Sequence, residues 1–399
     1  MVQVAERVDN LSYGIRDARL DKLIEEAGSD LIYCTLGNPP AYGLYPPLAL
    51  RLAVARNDLR SETGGYATST NCRNVAEAIA SFEAARGVPW AHDFQFAAGS
   101  SNVIAAFLMA YLNEGDEVLV PRYLYPLYIG YFSVLGVVPR YYDYHPQTGL
   151  IDAGSVEQLI TDKTRLFLLI DPCNPFPVVQ SKRSLRKLVD LLRPHGDKVM
   201  VLHDLAYDCM TYPDCPHLWV RFASLIERDD PLNVFVTCTF SKLWRWCSKR
   251  CGWGFFVGSQ AATKALSLSV SELISMNLGG DRAAIQAIPL ALRLHRYMDM
   301  RNQVSLSRRR DALLSAMHGA KGFHMVKPQG AIYGWLRHEH GPNKDVQEAL
   351  IRRGLLLTDG NVFGPHGEGY LRMVMLPQAR AMKRAGRILK EFGERPNGR

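Results

Sequence analysis

Three short segments of the chain set out reactive side chains in quick succession. DPCNP carries Asn174 before Pro175, HDLAY carries Asp204 and Tyr207, and TCTFSKLWRWCSKRCGWG carries Thr239, Ser241, Lys242 and Arg250. A lysine amine can condense with a carbonyl and then carry a proton. A carboxylate can balance a nearby positive charge, and hydroxyls with an arginine can grip a phosphate. Each piece alone has an ordinary explanation: a turn, a helix cap, a solvated loop. Their order changes the reading. Each follows an apolar run of strand type, and ligands of α/β sheets sit at the carboxyl ends of strands.

The elements that must position these groups follow from the hydrophobic pattern. Strands are expected at Phe94–Ala98, Asp116–Pro121, Val137–Tyr144, Thr164–Asp171, Lys198–His203, Asn233–Thr239 and Gly252–Gly258. Between several of them lie helical patterns such as SSNVIAAFLMAYLN and KRSLRKLVDLLRP. Strands alternating with helices predict an α/β fold, a mainly parallel sheet with helices on both faces. After about residue 290 the pattern changes to a long helix, short strands around AIYGWL and GYLRMVM, and a closing helix. This predicts a large domain over 46–288 and a smaller α+β domain built from 1–45 and 289–399.

The bulk properties fit this picture. The 399 residues suit two domains, with 47% hydrophobic and 22% charged residues. No apolar run has membrane length, and the first residues lack a signal-peptide core, so a cytoplasmic location and no membrane partner are expected. The net charge of +8 accompanies no basic stripe or nucleic-acid-binding motif. Small anions are therefore the expected partners rather than nucleic acid. Eight scattered cysteines form no CxxC pair and no zinc spacing, so no metal is expected.

Taken together, the motifs resemble the class I/II aminotransferases, the fold-type I enzymes that use pyridoxal 5'-phosphate. The matching pieces are Asn174-Pro175, Asp204-Leu-Ala-Tyr207 and Thr239-Phe-Ser241-Lys242, with Arg250 eight residues on and Gly252 next but one. LGNPP, GGYATSTNCRNVAEAIASF, AAGSSNVIAAF, GDEVLVPRYLYPLY, KPQGAIYGWL and FGPHGEGYLRMVM extend the likeness over nearly the whole chain. The resemblance implies that Lys242 holds the cofactor as a Schiff base and moves the proton at the substrate Cα. It places Asp204 against the pyridine nitrogen, with Asn174 and Tyr207 on the ring's phenolic oxygen. It assigns Gly99, Ser100, Ser101, Thr239, Ser241 and Arg250 to the phosphate and Tyr125 to ring stacking. Tyr66 would reach the phosphate of a second subunit, which implies a homodimer with shared sites. Gly37, Asn174 and Arg372 would bind the substrate, Arg372 at its α-carboxylate.

Two segments depart from that family's pattern. Asn174-Pro175 continues with Phe176-Pro177 instead of Thr-Gly, predicting a stiffer, more apolar wall beside the cofactor. The stretch Leu243–Lys249 is crowded with Trp244, Arg245, Trp246 and Lys249. These suit either a flat or anionic ligand or a dimer interface. The departures leave two reactions open on the same lysine: amino transfer between an amino acid and a 2-oxo acid, and elimination, replacement or cyclisation of a substrate such as S-adenosylmethionine. A pyridoxal-binding transcription regulator would need an N-terminal winged-helix module, for which the first residues leave no room.

Overall fold

A computed structural model of the chain describes residues 18–60, 64–67 and 71–395. Its strands are β1 Ile32–Tyr33, β2 His92–Ala98, β3 Glu117–Pro121, β4 Val138–Tyr142, β5 Thr164–Ile170, β6 Met200–Asp204 and β7 Val234–Thr239. They continue with β8 Cys251–Val257, β9 Phe323–Met325, β10 Tyr333–His338, β11 Leu355–Leu356, β12 Thr358–Asp359 and β13 Tyr370–Val374.

The runs VFVTCT of β7 and MVLHD of β6 are buried at every position. Strands covered on both faces require such continuous burial, and they form the centre of a seven-stranded sheet ordered β2-β8-β7-β6-β5-β3-β4. Its neighbours pair in parallel except β8, which runs antiparallel to both β2 and β7. The expected strand around residues 252–258 is therefore present but reversed. Helices pack on the sheet by amphipathic spacing. In Lys182–Leu192, Ser181 caps the first turn by accepting from the Ser184 amide at 3.0 Å, and Leu185, Leu188, Val189 and Leu192 are buried.

A second, four-stranded antiparallel sheet is ordered β12-β13-β10-β9. The amino-terminal β1 joins this half of the chain by pairing in parallel with β11, Ile32 opposite Leu355. Helices His295–Met317 and Ala379–Glu394 pack closely together, which requires a glycine at 386: a Cβ there would lie 2.7 Å from both the Ala316 Cβ and the Leu313 carbonyl oxygen. Among the described residues, no helix is long and apolar enough to cross a membrane.

Asp171, just beyond β5, gives the fold a pH-dependent weakness. It is buried, one carboxylate oxygen accepts from the Gln180 amide at 3.1 Å, and the other has no partner among the described residues. Burial raises its pKa from 3.8 to about 8. A folded pKa above the unfolded one means its contribution is fully present below 3.8 and lost as pH rises through about 8. Asp171→Asn removes this titration. Thermal unfolding at pH 5 and pH 8 should show the variant's advantage over the parent growing with pH.

Candidate active site

The sheet delivers its polar groups at one end. Beyond β5 the chain turns through Asn174, which is buried. The last residue of β6 is Asp204, and Tyr207 follows in a turn closed by the Asp208 amide to the Leu205 carbonyl at 3.1 Å and the Met210 amide to the Tyr207 carbonyl at 2.9 Å. β7 ends on Thr239, with Ser241 and Lys242 next. These groups share a cavity of about 240 Å³ with Ser100, Ser101, Tyr125 and Arg250.

Asp204 forms the floor. Its Oδ2 accepts from the Tyr128 hydroxyl at 2.8 Å, and its Oδ1 from the Ala206 amide at 3.0 Å and the Thr237 hydroxyl at 3.5 Å. Burial raises its pKa, and these donors partly offset that. A cation or N–H donor facing it from the cavity would stabilise the carboxylate further. The Tyr207 hydroxyl lies 2.6 Å from that of Tyr333, and burial holds the Tyr207 phenol protonated. The contacts of Tyr128 with Asp204 and of Tyr333 with Tyr207 are not among the sequence expectations, although both residues lie in motifs singled out there. Their partners come from distant elements, which local pattern does not disclose.

The opposite end is built for an anion. Gly99 has φ 84° and precedes the helix Ser100–Tyr111, whose first residues, Ser100 and Ser101, line the cavity. Arg250, with φ 42°, turns its guanidinium back to the Ser101 hydroxyl at 3.1 Å and the Cys247 carbonyl at 3.0 Å. The hydroxyls of Thr239 and Ser241 stand 3.0 Å apart. Two glycines make this close approach possible. A Cβ on Gly99 would collide with the Arg250 guanidinium, and one on Gly252 would collide with the backbone of Gly99 and Ser100. Hydroxyls, helix amides and a guanidinium at one end, a carboxylate on the floor and an amine at the side fit an aromatic phosphate ester carrying an aldehyde.

Over the site runs the segment Thr35–Asn38. The Lys242 ammonium donates to the Gly37 carbonyl at 2.6 Å. Arg372, buried on β13, donates to the Thr35 carbonyl, to the Thr358 hydroxyl at 3.1 Å and to Asn174 Oδ1 at 3.4 Å. Its Nε is buried without a partner among the described residues. Tyr66 stands elsewhere: it is 65% exposed at the surface and does not line this cavity.

Both unusual segments read differently in the structure. Phe176 turns from the cavity into an aromatic cluster, with ring centroids 4.5 Å from Tyr144 and 5.9 Å from Tyr123. Trp244 faces neither ligand nor solvent. It is 2% exposed, donates its indole N–H to the Ala291 carbonyl at 3.1 Å and packs on Phe240 and Trp253. Trp246 packs against the same core. Neither a stacking ligand nor a dimer interface is needed to explain Trp244.

Beneath Tyr207, the ligand-type atoms of Asp208, Cys209 and His295 lie close together. Arg86 Nη1 is 3.0 Å from Asp208 Oδ2 and 3.1 Å from His295 Nε2, and Arg221 Nη2 is 2.6 Å from Asp208 Oδ2. Guanidinium groups already supply the positive charge here, so this is an ion-pair cluster.

Residues 36–388 match the model of the family described as aminotransferase class I and II, and the chain belongs to that family. It is an aminotransferase, a transferase of the fold-type I architecture, acting between amino acids and 2-oxo acids as the family does. It is 27% identical over 392 residues to the glutamate-pyruvate aminotransferase AlaA of Escherichia coli K12, covering 94% of each chain. It is 26% identical over 411 residues to the LL-diaminopimelate aminotransferase of Natranaerobius thermophilus. A crystal structure of an aminotransferase from Escherichia coli superposes with a TM-score of 0.89 at 26% identity, over 99% of both chains.

Proposed function

We propose that this aminotransferase binds pyridoxal 5'-phosphate covalently through Lys242 and transfers amino groups between a small amino acid and a 2-oxo acid. The convergence of Lys242, Asp204, Asn174, Tyr207 and the Ser101–Arg250 anion cup on one cavity supports this reading. When bound, the cofactor supplies an electron sink for the bonds at the substrate Cα. The chain's residues supply the rest. Asp204 would keep a proton on the pyridine nitrogen, while Asn174 and Tyr207 would hydrogen-bond the phenolic oxygen and Tyr125 would stack on the ring. Gly99, Ser100, Ser101, Thr239, Ser241 and Arg250 would hold the phosphate by helix amides, hydroxyls and charge. Lys242, released by the incoming amine, would move the proton at Cα. Arg372 would bind the α-carboxylate, helped by Gly37 in the overlying segment.

The reading includes a homodimer. Tyr66 is exposed, as are Tyr45, Leu48 and Leu52, an apolar set that a second subunit would cover while receiving Tyr66 at its own phosphate site. It also includes a cofactor-binding domain over 46–288, a smaller domain from 1–45 and 289–399, and a cytoplasmic setting, in keeping with eight free cysteines.

Alanine and 2-oxoglutarate form the first pair to test, given the relatives named for glutamate and pyruvate. Alanine alone should discharge the visible absorbance of the bound cofactor and release pyruvate, and 2-oxoglutarate should restore the absorbance. Release of methylthioadenosine from S-adenosylmethionine, with no amino group passed on to 2-oxoglutarate, would favour elimination or cyclisation instead.

A further inference from the structure

The loop from β7 to β8 carries Lys242 near its start and Arg250 at its end, so its shape sets the amine relative to the anion cup. Inside it, Arg245 combines two costly features. It has φ 59°, a left-handed conformation that a side chain disfavours, and it is only 3% exposed. Its guanidinium meets no carboxylate among the described residues. Burial, then the like charges of Arg301 and Arg309, lower its pKa to about 10. An apolar side chain would fill the space more cheaply if packing were the only requirement.

The guanidinium instead makes two directed bonds to one helix. Arg245 Nε donates to Asn302 Oδ1 at 2.8 Å, and its Nη2 donates to the Arg301 carbonyl at 3.3 Å. Asn302, itself 2% exposed, returns a bond from its Nδ2 to the Leu243 carbonyl at 2.9 Å. The loop is closed on itself by the Arg245 amide to the Lys242 carbonyl at 3.1 Å. Both side chains thus grip the two sides of the peptide run that follows the reactive lysine. The same helix, His295–Met317, also reaches the turn carrying Tyr207: His295 Nε2 lies 3.3 Å from Cys209 Sγ and 3.4 Å from Asp208 Oδ2. Positions 295 and 302 are seven apart, two helical turns, and so lie on one face.

We propose that Arg245 and Asn302 are positioning residues for Lys242, locking the lysine loop onto the helix that also braces the Tyr207 turn. The proposal rests on Lys242 being the cofactor-linking lysine. Its test uses the full-length holoenzyme and the variants Arg245→Ala, Arg245→Lys, Asn302→Ala and the double alanine variant. Three properties are read: the pH midpoint of the bound cofactor's absorbance, the rate of cofactor loss on dilution, and kcat separately from KM. Each single alanine variant should shift the midpoint, speed cofactor loss about tenfold and lower kcat about tenfold, with KM changed little, because a misplaced amine loses alignment more than binding. The double variant should be no worse than either single one, since the two residues act as one unit. Arg245→Lys should resemble Arg245→Ala, because an ammonium cannot span both acceptors.

Wild-type behaviour of Arg245→Lys would show that charge alone matters and overturn the proposal. So would alanine variants that lower the melting temperature while leaving all three readings unchanged. Asn302→Ala keeps the test alive if Arg245→Ala does not fold. Lys242→Ala separates the two levels. If it retains the pH-dependent band, the reading of Lys242 fails; if it loses the band while the positioning variants match wild type, only the present proposal fails.

Discussion

Lys242→Ala is expected to abolish amino transfer, with kcat falling by about four orders of magnitude as nucleophile and proton carrier vanish together. The fold should survive. Lys242 is partly buried, its ammonium makes one hydrogen bond among the described residues, to the Gly37 carbonyl, and alanine leaves no charge without a partner. Borohydride treatment followed by peptide mass measurement should find the reduced cofactor on Lys242 in the parent and on no lysine in the variant. A cofactor-labelled peptide elsewhere would displace Lys242 from its assigned role. The cavity should still bind the cofactor reversibly, because the Arg250 cup and Asp204 remain.

Gly252→Ala should be the most damaging single-methyl substitution near the site. The new Cβ would stand 2.8 Å from the Gly99 Cα and closer still to the Gly99 carbonyl carbon and the Ser100 nitrogen. All three are backbone atoms, so no side-chain rotation relieves the overlap. β8 must separate from the start of the Ser100–Tyr111 helix, the place where hydroxyls, amides and Arg250 converge. A loss of about 1–3 kcal/mol is expected, together with weakened cofactor binding. Chemical denaturation and cofactor titration measure the two effects. Gly154→Ala is the control, because a Cβ there meets only the Asp152 side chain, at 3.4 Å, and lies outside the cavity. Equal behaviour of the two variants would refute the steric account.

Much of this was legible in the sequence because sheet strands and strand-end groups leave local marks. β5, β6 and β7 are short, mostly apolar and almost wholly buried runs; Asp204 ends β6, and Asn174 and Lys242 follow a few residues beyond Ile170 and Thr239. The direction of β8 was not legible, since its composition suits a buried strand of either sense; only the connection Phe240–Arg250, which joins adjacent strand ends, reverses it. The contacts of Tyr128 and Tyr333 were missed for a related reason. The bonds Tyr128–Asp204 and Tyr333–Tyr207 join residues 76 and 126 positions apart. The tryptophans misled because aromatic residues mark cores and binding faces alike, and only packing tells which.

The reversal of β8 divides the site by how far the chain must travel to complete it. Thr239 lies opposite Gly252 in a hairpin, so Lys242 and Arg250 are brought together by closing one short loop. The entropy of such closure grows only with the logarithm of loop length, and short loops close early. Asp204 and Asn174 arrive by a different route, through the parallel pairing of β5 with β6 and the helix Lys182–Leu192 between them. Substitutions that loosen this crossover should therefore cost the site its carboxylate while the amine and the anion cup stay assembled. Such a protein would capture the cofactor and fail to activate it.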